Sequence, residues 1–184
     1  MERDTNRANH WNEVAWTYEE ARPSYPNQLI EDIIAGARLA PGASLLEIGA
    51  GTGKATVQLA EKGFRIHCVE PGQNLADILM EKCSCYPGVT VDVAWFEEWT
   101  PAENAKFDLV LCAQAFNWLD PEIRFRKCHD LLKEDGHLAM FWYAHENEPW
   151  ASEIVASGLF AEPQVCEYRS ELTSSPEVCI KALE

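Results

Sequence analysis

The sequence has few positive charges and no long apolar run. Its 184 residues include 15 Lys and Arg against 30 Asp and Glu, which gives a formal net charge of −15. A negative field of this size repels polyphosphates and anionic lipid surfaces, so nucleic acid and membranes are poor partners. No apolar stretch approaches the length of a membrane span, and the charged start MERDTNRANHW lacks the apolar core of a signal peptide. We therefore expect a cytoplasmic protein.

Cysteine is present, but in no pattern that indicates a metal site or a set of disulfides. The total of seven is odd, and Cys68, Cys112 and Cys128 lie within apolar segments. Cys83 and Cys85 are close in sequence, but no second Cys or His pair stands at zinc spacing. Reduced thiols and no metal are the expectation, in agreement with a cytoplasmic compartment.

Strand and helix patterns alternate along the chain. The predicted strands are largely apolar, as expected when both faces of a parallel sheet are buried, and they cover 44–50, 64–70, 89–96, 107–116 and 137–144. Such alternation predicts an α/β fold, a doubly wound Rossmann-like sandwich with a mostly parallel sheet. We expect one domain over residues 1–184, with an N-terminal helical cap (1–43), a ligand-binding core (44–145) and a shortened C-terminal part (146–184).

The segment LLEIGAGTGKAT (45–56) places glycine at every second position where the first strand passes into a helix. A P-loop needs four residues between its first Gly and the Gly-Lys pair, but only three separate Gly49 from Gly53, and Ala55 follows Lys54. The dinucleotide fingerprint also fails, because Lys54 holds the place of its third Gly. The spacing therefore excludes two common phosphate-binding turns.

The remaining pattern, Glu47-x-Gly49-x-Gly51-x-Gly53, still predicts a ligand site. Glycine permits positive φ and lets a ligand approach the backbone, and the following helix offers N–H groups to an anion such as a carboxylate. Glu47 suits a ligand that also carries a cationic group. Glu70 ends the second strand, where an acidic side chain accepts hydrogen bonds from both ribose hydroxyls of a nucleoside. A tight turn and a surface carboxylate without a ligand are the alternatives.

Five ordered motifs, spread over roughly residues 11–145, resemble those of the class I S-adenosylmethionine-dependent methyltransferases. The motifs are YEEARPSYP, LLEIGAGTGKAT, VEPG, FDLVLCAQAFNWLD and LLKEDGHLAMFW. They are similar to the small-molecule branch that includes the methyltransferase type 11 and trans-aconitate-type enzymes. The resemblance implies S-adenosyl-L-methionine as cofactor and a small-molecule methyl acceptor.

The resemblance also implies roles for individual residues. The glycine turn would lie under the methionyl part and the ribose, and Glu70 would hold the ribose hydroxyls. Tyr18 and Arg22 would close over the cofactor, with Arg22 paired to its carboxylate, although helix-surface packing is the alternative. The cofactor-binding residues implied are Tyr18, Arg22, Glu47, Gly49, Ala50, Gly51, Gly53, Glu70, Pro71, Phe96, Glu97 and Gln114.

The chain departs from the family after the third strand. Family members often have Asp there as the partner of the adenine amino group, whereas this chain has Trp95 followed by Phe96. We expect these rings to stack on adenine, with polar contacts from the Phe96 backbone or the Glu97 side chain; ordinary core packing is the alternative. After the fourth strand, Gln114 would lie nearest the cofactor, in the segment 114–118 that lines the methyl-transfer site.

Catalytic residues and the acceptor atom are not assigned from the sequence. His145 is the weak candidate for a general base, because it follows the fifth strand at the end where such folds bind ligands. The densest basic group, Arg124, Arg126 and Lys127, is expected on a helix that covers the sheet away from the site.

The C-terminal third differs from the family pattern. WASEIVASGLF predicts a helix, PQVCEYRSELT a sixth strand, and SPEVCIKALE the start of another helix. The seventh, antiparallel strand of the family is therefore predicted to be missing. Two functions stay open: an active small-molecule methyltransferase, and a non-catalytic module that binds the cofactor or a protein partner through the same fold.

Overall fold

Seven strands and six helices form the part of the chain that the computed structural model describes, residues 12–13, 15–142, 150–168 and 177–181. The strands are β1 (Ser44–Ile48), β2 (Arg65–Glu70), β3 (Val89–Val93), β4 (Phe107–Ala113), β5 (Leu132–Trp142), β6 (Gln164–Tyr168) and β7 (Glu177–Lys181). The helices are α1 (Ala15–Ala21), α2 (Asn27–Gly36), α3 (Lys54–Ala60), α4 (Gln73–Lys82), α5 (Arg124–Leu131) and α6 (Trp150–Ser157), with a 3-10 turn at Phe116–Trp118.

The strands form one sheet in the order β3-β2-β1-β4-β5-β7-β6. The pairs from β3 through β5 are parallel, which confirms the predicted α/β, doubly wound fold. The strand order reverses between β1 and β4, and ligands of open α/β sheets bind at the carboxyl ends of the strands beside such a reversal. The topology therefore predicts a ligand site at the segments that follow β1 and β4.

The two faces of the sheet carry separate apolar cores. Successive residues of a strand point to opposite faces, so Leu45 joins the core formed with α2, α3 and α4, and Leu46 joins the core beneath α5 and α6. Both side chains are fully buried, as expected for a central strand covered on both sides. None of the helices in the described ranges is long and apolar enough to cross a bilayer.

The prediction that the seventh strand is missing is wrong. Residues predicted to begin a helix form β7, which pairs antiparallel with β5, from Ala139↔Lys181 to Trp142↔Val178. On its other side β7 pairs antiparallel with β6. A five-residue segment carries little periodicity, and the ladders of β5 and β6 supply the pairing that decides its conformation. β5 also begins at Leu132, earlier than expected, directly after α5.

Candidate functional site

All three glycines of the turn after β1 have a positive φ, which is +66° at Gly49, +57° at Gly51 and +78° at Gly53. A Cβ added at Gly49 would lie 2.5 Å from Ala115 Cβ, and one at Gly53 would lie 2.3 Å from Leu79 Cδ1. At Gly51 a Cβ would meet no described atom within 4 Å. Packing against Ala115 therefore requires glycine at position 49, and a side chain at position 53 would require Leu79 to move. Gly51 leaves space where a ligand can approach the backbone.

Glu70, at the end of β2, holds this turn. Its Oε2 accepts a hydrogen bond of 2.8 Å from the Gly51 N–H, and its Oε1 accepts one of 2.8 Å from Gly72. Burial raises the pKa of this carboxyl, although the two amide bonds act in the opposite direction. Each carboxylate oxygen has a second lone pair, so Glu70 can also accept hydrogen bonds from a ligand. Pro71 is half-buried beside it, and Ala50 is buried within the turn.

Glu47 lies beneath the turn and is fully buried. Its Oε2 accepts a hydrogen bond of 2.7 Å from Thr56 Oγ1 on α3. Burial raises its pKa to about 8; the bond from Thr56 lowers it and the nearby charge of Glu70 raises it further. The carboxyl is therefore mostly protonated at neutral pH. The structure places Glu47 against the protein, and a direct contact with a cationic ligand stays a prediction.

Gln114 follows β4 in a left-handed conformation, with φ of +63°. Its N–H donates to Phe141 O at 2.9 Å, which fixes this conformation against β5. Its side-chain Nε2 is buried and has no hydrogen-bond partner among the described residues. A strained non-glycine backbone with an unpaired buried donor is typical of functional sites. Because the next residue, Ala115, contacts Gly49, Gln114 and the glycine turn lie side by side.

The segment after β3 forms a tight turn, in which Trp95 O accepts hydrogen bonds from the N–H groups of Glu98 and Trp99. The Phe96 ring is buried in the core under α5, which favours the alternative of core packing, and its stacking on adenine stays a prediction. Glu97 accepts a hydrogen bond of 3.0 Å from Asp120 N through Oε1. Its Oε2 is buried, and within the described residues it has no hydrogen-bond partner. A free acceptor therefore lies in the segment predicted to cover adenine.

Helix α1 is attached beside the glycine turn through Glu19. The Glu19 Oε1 atom lies 3.2 Å from Lys54 Nζ, at the start of α3, and 2.8 Å from Lys82 Nζ, at the end of α4. Arg22 follows α1 and is half-buried. The backbone of Tyr18 belongs to α1, but its side chain lies outside the described residues. The roles assigned to Tyr18 and Arg22 stay predictions.

Two basic residues of α5 contact the site segments, which corrects the expectation that this group lies away from the site. Arg124 is buried, and its guanidinium lies 5.2 Å from the centre of the Phe116 ring and 4.8 Å from the centre of the Trp150 ring. The same guanidinium forms an ion pair with Glu153. Lys127 binds backbone carbonyls of the turn after β3. A sequence signal for both existed, because they share the spacing of the buried α5 residues Cys128 and Leu131.

Other candidates receive less support. His145 lies outside the described residues, so the structure offers no test of it as a base. No group of three His, Cys, Asp or Glu side chains suited to a metal occurs in the described part of the chain. A separate groove between α1 and α4, which the exposed Trp16 lines, includes no residue of the glycine turn.

Comparison with known proteins identifies the family of the chain. The family model described as a methyltransferase domain matches residues 46–140, more than half of the chain. An uncharacterized methyltransferase of Mycobacterium tuberculosis is 32% identical over 138 residues, which are 74% of this chain and 54% of that protein. The chain thus spans about half the length of the curated relatives it matches. Ribosomal RNA small subunit methyltransferase A of Thermotoga maritima is 37% identical over 78 residues, 42% of this chain and 27% of that protein.

A solved structure with a similar fold aligns with the full length of the chain. Magnesium protoporphyrin IX methyltransferase from Synechocystis, solved with bound S-adenosylmethionine, superposes with a TM-score of 0.72. The alignment covers 100% of this chain and 98% of that chain, at 13% sequence identity. At this identity the likeness demonstrates a shared fold.

Proposed function

Because the chain belongs to the class I S-adenosylmethionine-dependent methyltransferases, we propose that it binds S-adenosyl-L-methionine and transfers the methyl group to a small organic molecule. The observation that carries the proposal is the open space at Gly51, next to a Glu70 carboxylate that holds the turn and retains free lone pairs. This pair lies at the carboxyl ends of β1 and β2, where the fold binds ligands.

The residues present fit this cofactor. The glycine turn, with the Ala50 backbone, would hold the methionyl part, and Glu70 with Pro71 would hold the ribose. The unpaired Glu97 Oε2 would accept a hydrogen bond from the adenine amino group. The unpaired Gln114 Nε2 would donate to the cofactor beside the acceptor, and Arg22 with Tyr18 would cover it from α1.

The cofactor supplies a methyl group on a positively charged sulfur, and the protein's part is to align this group with the acceptor. In-line displacement needs a fixed donor geometry more than it needs a strong acid or base. The strained backbone of Gln114 and the hydrogen-bonded glycine turn would provide such a geometry. His145 stays the candidate for a base if the acceptor is a hydroxyl or a carbon, which must lose a proton on methylation.

A small acceptor is favoured over a polyanion by charge. The net charge of −15 opposes a phosphate backbone, and the basic residues Arg124 and Lys127 are already engaged within the protein. The relative named for ribosomal RNA matches a shorter stretch, 42% of this chain. The described cysteines Cys68, Cys83, Cys85, Cys112, Cys128 and Cys166 are free thiols, which supports the proposal of a reducing, cytoplasmic compartment.

The alternative, a non-catalytic module, rested on a missing seventh strand. The strand is present as β7, so that argument no longer applies.

Calorimetric titration with S-adenosylmethionine, S-adenosylhomocysteine and NAD tests the cofactor, and binding of NAD alone would refute the proposed cofactor. Transfer of radiolabelled methyl groups to a metabolite mixture and to bulk tRNA tests the acceptor. Label that enters only tRNA would overturn the small-molecule proposal.

A further inference from the structure

Lys127 on α5 binds the turn after β3 through three backbone carbonyls. Its Nζ lies 2.5 Å from Phe96 O, 3.2 Å from Glu97 O and 2.5 Å from Trp99 O. An ammonium group carries three N–H donors, so these carbonyls account for its hydrogen-bonding capacity. The same ammonium lies 4.8 Å from the centre of the Phe96 ring, within the range of a cation–π contact. A single side chain therefore fixes this turn from the core side.

The turn held by Lys127 is joined to the end of β2. In the ladder between β2 and β3, Glu70 is opposite Val93, and Ala94 N donates to Glu70 O at 3.2 Å. The turn thus begins beside the carboxylate proposed to hold the ribose. If Glu70 holds the ribose, residues that follow Ala94 in the turn would lie on the side of the base of the same nucleoside.

Glu97 lies in this turn with its two oxygens in different situations. Oε1 accepts the hydrogen bond from Asp120 N, which restricts the carboxylate. Oε2 is buried and, in the described part of the chain, has no hydrogen-bond partner. A buried carboxylate oxygen without a donor is costly unless a ligand supplies one. The adenine amino group is such a donor.

We propose that Lys127 is a positioning residue for the adenine end of the cofactor, because it holds the turn 95–99 so that Glu97 Oε2 meets the adenine amino group. The inference rests on the proposed function, since it requires the cofactor at the ends of β2 and β3. Lys127 touches the backbone of the turn, and its effect on the ligand passes through Glu97. Its loss should therefore change selectivity for the base more than the binding of the rest of the ligand.

The test compares S-adenosylhomocysteine with S-inosylhomocysteine, in which a carbonyl oxygen replaces the adenine amino group. We expect the wild-type protein to prefer S-adenosylhomocysteine by about tenfold or more, because the carbonyl would oppose Glu97 Oε2 with a second acceptor. Lys127→Met should lower the affinity for S-adenosylhomocysteine about tenfold and the affinity for S-inosylhomocysteine much less, so that the preference disappears. Lys127→Arg, which retains donors for the carbonyls, should restore most of the preference.

Two further variants serve as references. Arg126→Met removes a positive charge from an exposed position of the same helix and should leave both affinities unchanged. Glu97→Gln should abolish the preference while Lys127 is intact. If Lys127→Met does not fold, Lys127→Gln, which keeps two donors, takes its place in the comparison. Circular dichroism and thermal unfolding confirm that each variant is folded before titration.

The outcomes distinguish a failure of the proposed function from a failure of the role assigned to Lys127. Wild-type protein that binds neither compound would refute the proposed function itself. Binding of both compounds with equal affinity, or a Glu97→Gln variant that keeps the preference, would refute the role of Glu97 and with it that of Lys127. A preference that is lost in Glu97→Gln and kept in Lys127→Met would overturn only the Lys127 inference. Equal weakening of both compounds in Lys127→Met would also overturn it, because that result indicates a general structural role.

Discussion

The Gly51 N–H donates a hydrogen bond of 2.8 Å to Glu70 Oε2, so the side chain that ends β2 fixes the turn that follows β1. The glycine turn and the acidic strand end are separate motifs in the sequence but one unit in the structure. A change at either residue therefore alters the geometry that the other presents to a ligand.

Replacing Gly51 by Ala should lower the affinity for S-adenosylhomocysteine at least tenfold, because the added methyl group occupies the space where the ligand approaches. The cost to folding should be about 1 kcal/mol, since φ is +57° but no described atom lies within 4 Å of the new Cβ. Calorimetric titration and urea unfolding measure the two effects.

Gly63→Ala is the matched control for this change. Gly63 also has a positive φ, +83°, and an unobstructed Cβ position, but it precedes β2 at the opposite end of the sheet. It should lose a similar amount of stability and keep wild-type affinity. Equal affinities in the two variants would mean that the ligand does not approach Gly51.

Glu70→Ala should reduce both stability and ligand affinity. The substitution leaves the N–H groups of Gly51 and Gly72 without their acceptor, at a cost of about 1–3 kcal/mol for each amide that stays buried. Ribose hydroxyls would lose the same acceptor, so S-adenosylhomocysteine should bind about 1–3 kcal/mol more weakly. Urea unfolding and calorimetry measure these quantities. An unchanged affinity in the folded variant would exclude the ribose assignment.

The buried Glu47 carboxyl should make the protein less stable as the pH rises. Its pKa is about 8 in the folded protein against a usual 4.5, so the folded chain keeps a proton that the unfolded chain releases between these values. The contribution of Glu47 to stability is therefore greatest below the lower value and falls towards pH 8, by at most about 1.4 kcal/mol per pH unit. Glu70, whose pKa is also raised, acts in the same direction.

Glu47→Gln removes the Glu47 contribution and keeps an acceptor for Thr56 Oγ1. Free energies of unfolding measured at pH 5.5, 7 and 8.5 should fall less steeply in the variant than in the wild-type protein. Identical slopes would show that Glu47 titrates alike in the folded and unfolded chains.

Gln114→Gly should stabilise the protein and impair its ligand site. Glycine adopts the φ of +63° without strain, which should contribute up to about 1 kcal/mol, partly offset by the greater freedom of the unfolded chain. The lost side chain includes the buried Nε2 donor, so affinity for S-adenosylmethionine should fall.

Asn104→Gly provides the comparison for Gln114→Gly. Asn104 has a similar φ of +61° in an exposed turn before β4, and its replacement should affect stability without changing affinity. A Gln114→Gly variant that binds the cofactor like wild type would exclude a role for this side chain in binding.

Much of the fold could be predicted from the sequence, because its signals are local. Apolar runs define β1, β2 and β4, and glycine and proline mark the bounds of β1 and β2. β7 was missed because its conformation depends on partners more than thirty residues away in β5, and a five-residue segment has too little pattern of its own.

The candidate site was predictable where a motif fixes the backbone, and less so where tertiary packing chooses between roles. Spacing alone located the glycine turn and Glu70. Phe96 had two possible roles, stacking on adenine or core packing, and the sequence does not show that its ring lies in the core under α5. Lys127 was assigned to a remote surface because a sequence does not reveal which loop a helix will cover.

The position of β7 determines the order in which the last strands can join the sheet during synthesis. β6 leaves the ribosome before β7, yet among the strands that the structure describes its only partner is β7. Until residues 177–181 have emerged, β5 presents an open backbone edge and β6 has no place in the sheet. A nascent or truncated chain that stops short of this segment would expose that edge to other chains, so the last described strand also protects the protein from aggregation.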